Sequence, residues 1–119
     1  MGNEARMRLT ECAVTVGVTR LLGYRIAWLR EQGLAPNYEV SIVKLLATET
    51  HQRMSNILAN AAGLHGQLLG GSGLGAGLIA RIGPGYVDSA KDTVAQGTSE
   101  TQRHLIATPR PAPPPCHNR

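Results

Sequence analysis

Gln96-Gly97-Thr98-Ser99-Glu100-Thr101-Gln102-Arg103-His104-Leu105-Ile106-Ala107 is the stretch on which the reading of this chain turns. Gly97 marks a turn, and the residues after it have the chemistry of a helix start. Ser99 with Gln102 fits the S/T-x-x-E/Q capping box, and Thr98 is the alternative cap. Such an end offers unpaired N–H groups and the positive end of the helix dipole, a natural seat for phosphate. A simple N-cap accounts for the same residues.

Upstream, the pattern stays helical. From Glu4 to about Gln32, Val14, Val18, Leu21, Leu22, Arg25, Trp28 and Leu29 recur at helical spacing and predict the packing stripe of a first helix. Gly33 reads as its stop, with Pro36 beyond it. Asn37 is the expected cap of a second helix, with Glu39 near its positive end. Along that helix Val43, Leu46, Ala47, Thr50, Met54, Ile57, Leu58, Ala61 and Ala62 form one stripe. Glu49 and Arg53, spaced i, i+4, predict a surface ion pair. Gly63 to Gly77 holds half of the 14 glycines and predicts a break. A third helix is expected from Pro84, a residue suited to a first turn, with Tyr86, Val87, Ala90 and Val94 as its stripe and Gly97 as its stop. From Pro109 onward five prolines in eleven residues predict a disordered tail.

Composition agrees with helices. Hydrophobic residues make up 42% of the 119, aromatics 3%, and there is no Phe. A core of Leu, Val, Ile and Ala suits packed helices better than a sandwich of strands. The net charge of +4 comes from 12 basic residues, ten of them Arg, scattered from Arg6 to Arg119. A nucleic-acid surface needs clustered charge interleaved with aromatics, and the only aromatics are Tyr24, Trp28, Tyr38 and Tyr86. No apolar run approaches the roughly 20 residues of a membrane span. The first 20 residues have no apolar leader, and Cys12 and Cys116 form no metal or disulfide motif, which points to a reducing, cytoplasmic setting.

The catalytic motifs are few. Gly71-Ser72-Gly73-Leu74-Gly75-Ala76 matches a loose dinucleotide pattern, but no strand precedes it and no acid follows at the required distance. His51, His65, His104 and His117 lack metal-ligand spacing, so no metal is expected. His51 reads as a polar-face residue, and His65, in a Gly-flanked turn, as a possible contact. No paired carboxylates are spaced for acid–base work.

The Gly97 to Ala107 run resembles the C-terminal signature of acyl-CoA dehydrogenases, Gly-Thr-Ser-Glu-[Ile/Val]-Gln-Arg-x-x-Ile-Ala. Arg20-Leu21-Leu22-Gly23-Tyr24-Arg25-Ile26-Ala27-Trp28, Gly33-Leu34-Ala35-Pro36-Asn37-Tyr38-Glu39 with Lys44, and Gly63-Leu64-His65-Gly66 resemble, in order, successive segments of the same domain. The resemblance implies an all-α, antiparallel helical bundle over residues 4–107 that lacks the domain's first helix, with 108–119 as a Pro-rich tail. It implies a fragment of a longer flavoenzyme, with a tail whose abrupt change suggests a frameshift.

The family removes an α-proton from an acyl-CoA thioester and passes the β-hydrogen as hydride to FAD, in lipid catabolism. Thr98 and Glu100 match its flavin-contacting positions at the start of the last helix. Asn60, Gly63 and Gly66 match the turn that touches the FAD of a neighbouring subunit. The position of the family's catalytic Glu is Gln96, whose amide is no base. The isolated chain is therefore expected to be inactive, in need of a second copy or a full-length dehydrogenase subunit. The alternative is a non-catalytic helical interaction module.

Overall fold

The computed structural model describes residues 2–64, 76–95 and 97–108. The described residues form four helices: α1 (Asn3–Glu31), α2 (Glu39–Ala62), α3 (Ala76–Asp92) and α4 (Ser99–Ala107). The described residues form no strand. The fold is the expected all-α bundle. α2 is its axis: among the described residues α1, α3 and α4 each pack on it and not on one another. Cross-helix bonds set the directions. Arg25 reaches Glu39, and Asp92 reaches His51, so α1 and α3 run against α2. Lys44 meets Gly97 and Glu49 meets Arg103, so α4 runs with it.

α1 ends as the sequence predicts. Gly33 takes φ +69, its N–H bonds to the Arg30 carbonyl and the N–H of Leu34 to that of Leu29. This is a Schellman closure, and the positive φ is what glycine permits at no steric cost. The packing face of α1, however, is the predicted one only at Leu22 and Leu29. Ala5, Leu9, Cys12, Thr15, Thr19, Leu22, Ile26 and Leu29 face α2, whereas Val14, Val18, Leu21 and Trp28 are exposed. Both faces are apolar enough to read as a stripe. Threonine misled the reading, because Thr15 and Thr19 return their hydroxyls to the carbonyls of Glu11 and Thr15 and so sit half-buried with no orphaned donor.

α2 carries its predicted stripe on the side turned to α1, where Ala47, Thr50, Met54, Ile57 and Ala61 line the grooves between the two helices. Its start differs from expectation. Tyr38 occupies the cap position without a side-chain bond, and Asn37 instead gives its backbone N–H to the carboxylate of Glu39. Glu39 is buried, with Arg25 Nε at 3.7 Å. Glu49 pairs with Arg103 of α4 and not with Arg53, which is exposed.

α3 begins at Ala76, eight residues before Pro84, which lies inside the helix. Pro84 has no N–H to give to the carbonyl four residues back, so it interrupts the ladder without ending the helix. The predicted stripe again faces outward, with Tyr86, Val87 and Val94 exposed. The two buried residues described on α3 are small. Gly83 is buried, and Ser89 is fully enclosed, its hydroxyl donating to the Tyr86 carbonyl at 2.7 Å.

Among the described residues Cys12 is the only large apolar side chain that is buried. The other apolar residues of the described helix faces are half-buried or exposed, and among the described residues they close no core around α2.

Two glycines have opposite expected responses to alanine. Gly23 lies within α1, and a Cβ there meets nothing within 4 Å. Gly23→Ala should stabilise by about 0.5–1 kcal/mol. Gly97 has φ +96, and a Cβ there would lie 2.8 Å from Nε2 of Gln102. Gly97→Ala should destabilise by at least about 1 kcal/mol. Urea unfolding followed by circular dichroism measures both.

Candidate functional site

The start of α4 is assembled around Gly97. Its carbonyl accepts from Lys44 Nζ at 2.5 Å, a bond that ties the turn to α2. Thr98, with extended backbone (φ −65, ψ 162), is the N-cap; its Oγ1 accepts the Thr101 N–H at 3.2 Å. The two threonine hydroxyls lie 3.1 Å apart, and the Thr98 carbonyl accepts from the Gln102 N–H. Thr98 rather than Ser99 is thus the cap. Ser99 and Gln102 are buried beneath the turn.

Glu100 is exposed on the first turn. Its carboxyl is held below the ordinary range, first by its own backbone N–H and then by the Thr98 hydroxyl. The helix end therefore already carries an anion of its own. This revises the reading of the end as a phosphate seat, because a second negative group would face the Glu100 carboxylate. A neutral polar group that exchanges hydrogen bonds with Thr98 and Glu100 suits it better.

Asn60 and Gly63 lie at the far end of α2. Gly63 has φ 56 and ψ −133, and its N–H bonds to the Asn60 carbonyl. A Cβ at Gly63 meets nothing within 4 Å, so the glycine is required by its conformation, and its backbone is open to approach. Asn60 also lines a groove of about 840 Å³ between the first half of α1 and the last half of α2, with Ala5, Arg8, Cys12, Arg53 and Ile57.

Sixteen residues of helix separate Lys44, beside the α4 start, from Asn60. At 1.5 Å per residue that is about 24 Å. The structure brings Thr98 and Glu100 together, and Asn60 and Gly63 together, but keeps the two pairs apart. Gly66, Gln96, His65, the glycine-rich run 70–75 and the tail 109–119 lie outside the described residues.

Two contacts escaped the sequence reading. His51 Nδ1 lies 3.0 Å from Asp92 Oδ2, and Arg103 pairs with Glu49. The partners are 41 and 54 residues apart in sequence, and no local spacing announces them. Among the described residues no three His, Cys, Asp or Glu side chains converge to hold a metal, and no helix is long and apolar enough to cross a membrane.

The sequence matches the family described as acyl-CoA dehydrogenase, C-terminal domain, over residues 3–109. The chain belongs to that family. No curated protein and no solved structure gave a significant match to it.

The α4 start makes two predictions. Thr98→Ala removes the cap and the hydroxyl beside Glu100, and should cost about 1 kcal/mol in urea unfolding. The lowered carboxyl of Glu100 binds its proton more weakly folded than unfolded. Its stabilising contribution is therefore present at neutral pH and lost as pH falls through the folded value, below the ordinary carboxylate range. Glu100→Gln should accordingly melt below the parent chain at neutral pH, and the gap should narrow as pH falls below the ordinary carboxylate range. A gap unchanged by pH would count against this account of the helix end.

Proposed function

We propose that this chain provides part of the C-terminal helical domain of an FAD-dependent acyl-CoA dehydrogenase, and that it contributes cofactor contacts rather than the catalytic base. The observation that carries this reading is the Lys44–Gly97 bond. It fixes the turn that points Thr98 and Glu100 outward from the start of α4. The family positions that meet the flavin coincide with these two residues.

The groups present suit such a cofactor. Thr98 and Glu100 offer a hydroxyl and a carboxylate for the uncharged polar edge of a flavin. Gly63 offers an exposed backbone in a conformation that a side chain disfavours, which suits close approach of a pyrophosphate. The separation of about 24 Å along α2 supports an arrangement in which the two ends serve different flavins, one of them a neighbour's. When bound, FAD supplies the hydride acceptor. The residues of this chain bind and orient it.

Gln96 stands where the family has its base, and an amide cannot take the α-proton. The acyl-CoA thioester and its chemistry then belong to an assembly with a second subunit, whether another copy or a full-length dehydrogenase. The chain alone should show no turnover of acyl-CoA with an artificial electron acceptor.

A titration of the purified chain with FAD tests the reading directly, by the shift of the flavin absorbance band and the quenching of its fluorescence. Saturable binding that is weakened by Thr98→Ala supports it. Absence of binding, both alone and with a full-length relative, would leave the alternative of a non-catalytic interaction module.

A further inference from the structure

Arg103 stands between two carboxylates and is bonded to one of them. On α4 itself Glu100 lies three residues before it, the i, i+3 spacing at which an acid and a following base pair on a helix. Glu49 of α2 takes the guanidinium instead, Nη2 to Oε1. Glu49 is the more enclosed of the two acids, its side chain 26% exposed, whereas Glu100 is open to solvent. Attraction between opposite charges strengthens as water is excluded, which favours the partner on α2.

The consequence falls on Glu100. Its carboxyl is lowered first by its own backbone N–H and then by the Thr98 hydroxyl, while Arg103 adds only a weaker attraction at a distance. Lys44, the basic group of α2 nearest this turn, is taken up by the Gly97 carbonyl. The carboxylate at the start of α4 is thus an acceptor with no cation bonded to it.

The two ends of the Glu49–Arg103 pair are not equivalent. Glu49 has an alternative on its own helix, because Arg53 is exposed at i+4. Removal of Arg103 therefore leaves Glu49 a cation to turn to. Removal of Glu49 leaves Arg103 facing Glu100. A pair that merely docks α4 is lost equally from either end. A pair that keeps Arg103 off Glu100 is damaged from the Glu49 end alone.

We propose that Glu49 is a positioning residue for the start of α4: by holding Arg103 on α2, it keeps the Glu100 carboxylate open to accept from the N–H or O–H donors of a ligand. That this ligand is the polar edge of a flavin rests on the reading above; the restraint on Arg103 does not.

Two measurements on the full chain test this. The first contains no flavin and follows the Glu100 side-chain carboxyl carbon by NMR as pH is lowered. In Glu49→Gln the released guanidinium should pair with Glu100 and move its midpoint below the parent's. Glu49→Gln combined with Arg103→Gln should abolish that fall. The second is titration with FAD. Glu49→Gln should weaken binding about tenfold, as expected for loss of one charge-assisted hydrogen bond. Arg103→Gln, and the double variant, should stay within about threefold of the parent. Circular dichroism checks that each variant keeps its helices. A Glu100 midpoint that does not move in Glu49→Gln overturns the proposal. So does an Arg103→Gln chain that loses FAD as far as Glu49→Gln does, since the pair is then a plain docking contact. If the parent chain binds no FAD, the failure belongs to the flavin reading, and the Glu100 titration still decides whether Glu49 restrains Arg103.

Discussion

α2 has to satisfy three helices at once, and the rest of the structure follows from how it does so. A helix packed on one side needs one apolar stripe. α2 has its stripe toward α1 and must hold α3 and α4 with what remains of its circumference. It does so with polar side chains: Lys44 to the Gly97 carbonyl, Glu49 to Arg103, and His51 to Asp92. Exposed pairs of this kind are each worth about 0–1 kcal/mol, so they add little stability. Their value is in register. Each bond is made at one position along α2, and together they set how far α3 and α4 have slid along it. The cap at Thr98 is in place because Lys44 holds the turn before it.

The sequence announces what local chemistry decides. Gly33 and Gly63 end their helices at positive φ, and Thr98 caps α4, as one of the two weighed alternatives. The stripe of α2 is legible because its polar residues leave a clear remainder. α1 and α3 are not legible in the same way. On α1 two apolar faces compete, and the larger side chains lie on the one that does not meet α2. On α3 the buried residues described are Gly83 and Ser89, which no hydrophobic pattern detects, and Pro84 sits where a helix was expected to begin. Periodicity identifies an apolar face. It does not identify the neighbour.

The candidate site divides along the same line. Thr98 and Glu100 lie one turn apart, so their proximity is a local fact that the capping pattern contains. The relation of that end to Asn60 and Gly63 is a matter of tertiary distance, about 24 Å along α2. Only the family resemblance proposes that the two ends serve different subunits. The charge at the α4 start illustrates a further limit. A helix N-terminus invites an anion in general, but here Glu100 has already taken that place, and the pattern of residues does not reveal where its carboxylate turns.

The partial burial of the described apolar residues bears on everything else. A helix whose surface is apolar on two sides is stable in water when both sides are covered. α1 meets this condition on the α2 side only, and α3 leaves Tyr86 and Val87 outward as well. The interactions that hold the four helices are mostly half-exposed and polar, and such bonds do not by themselves offset the entropy of ordering the chain. The apolar side chains left outward on α1, Met7, Val14, Leu21 and Trp28, are therefore surface that water alone covers poorly.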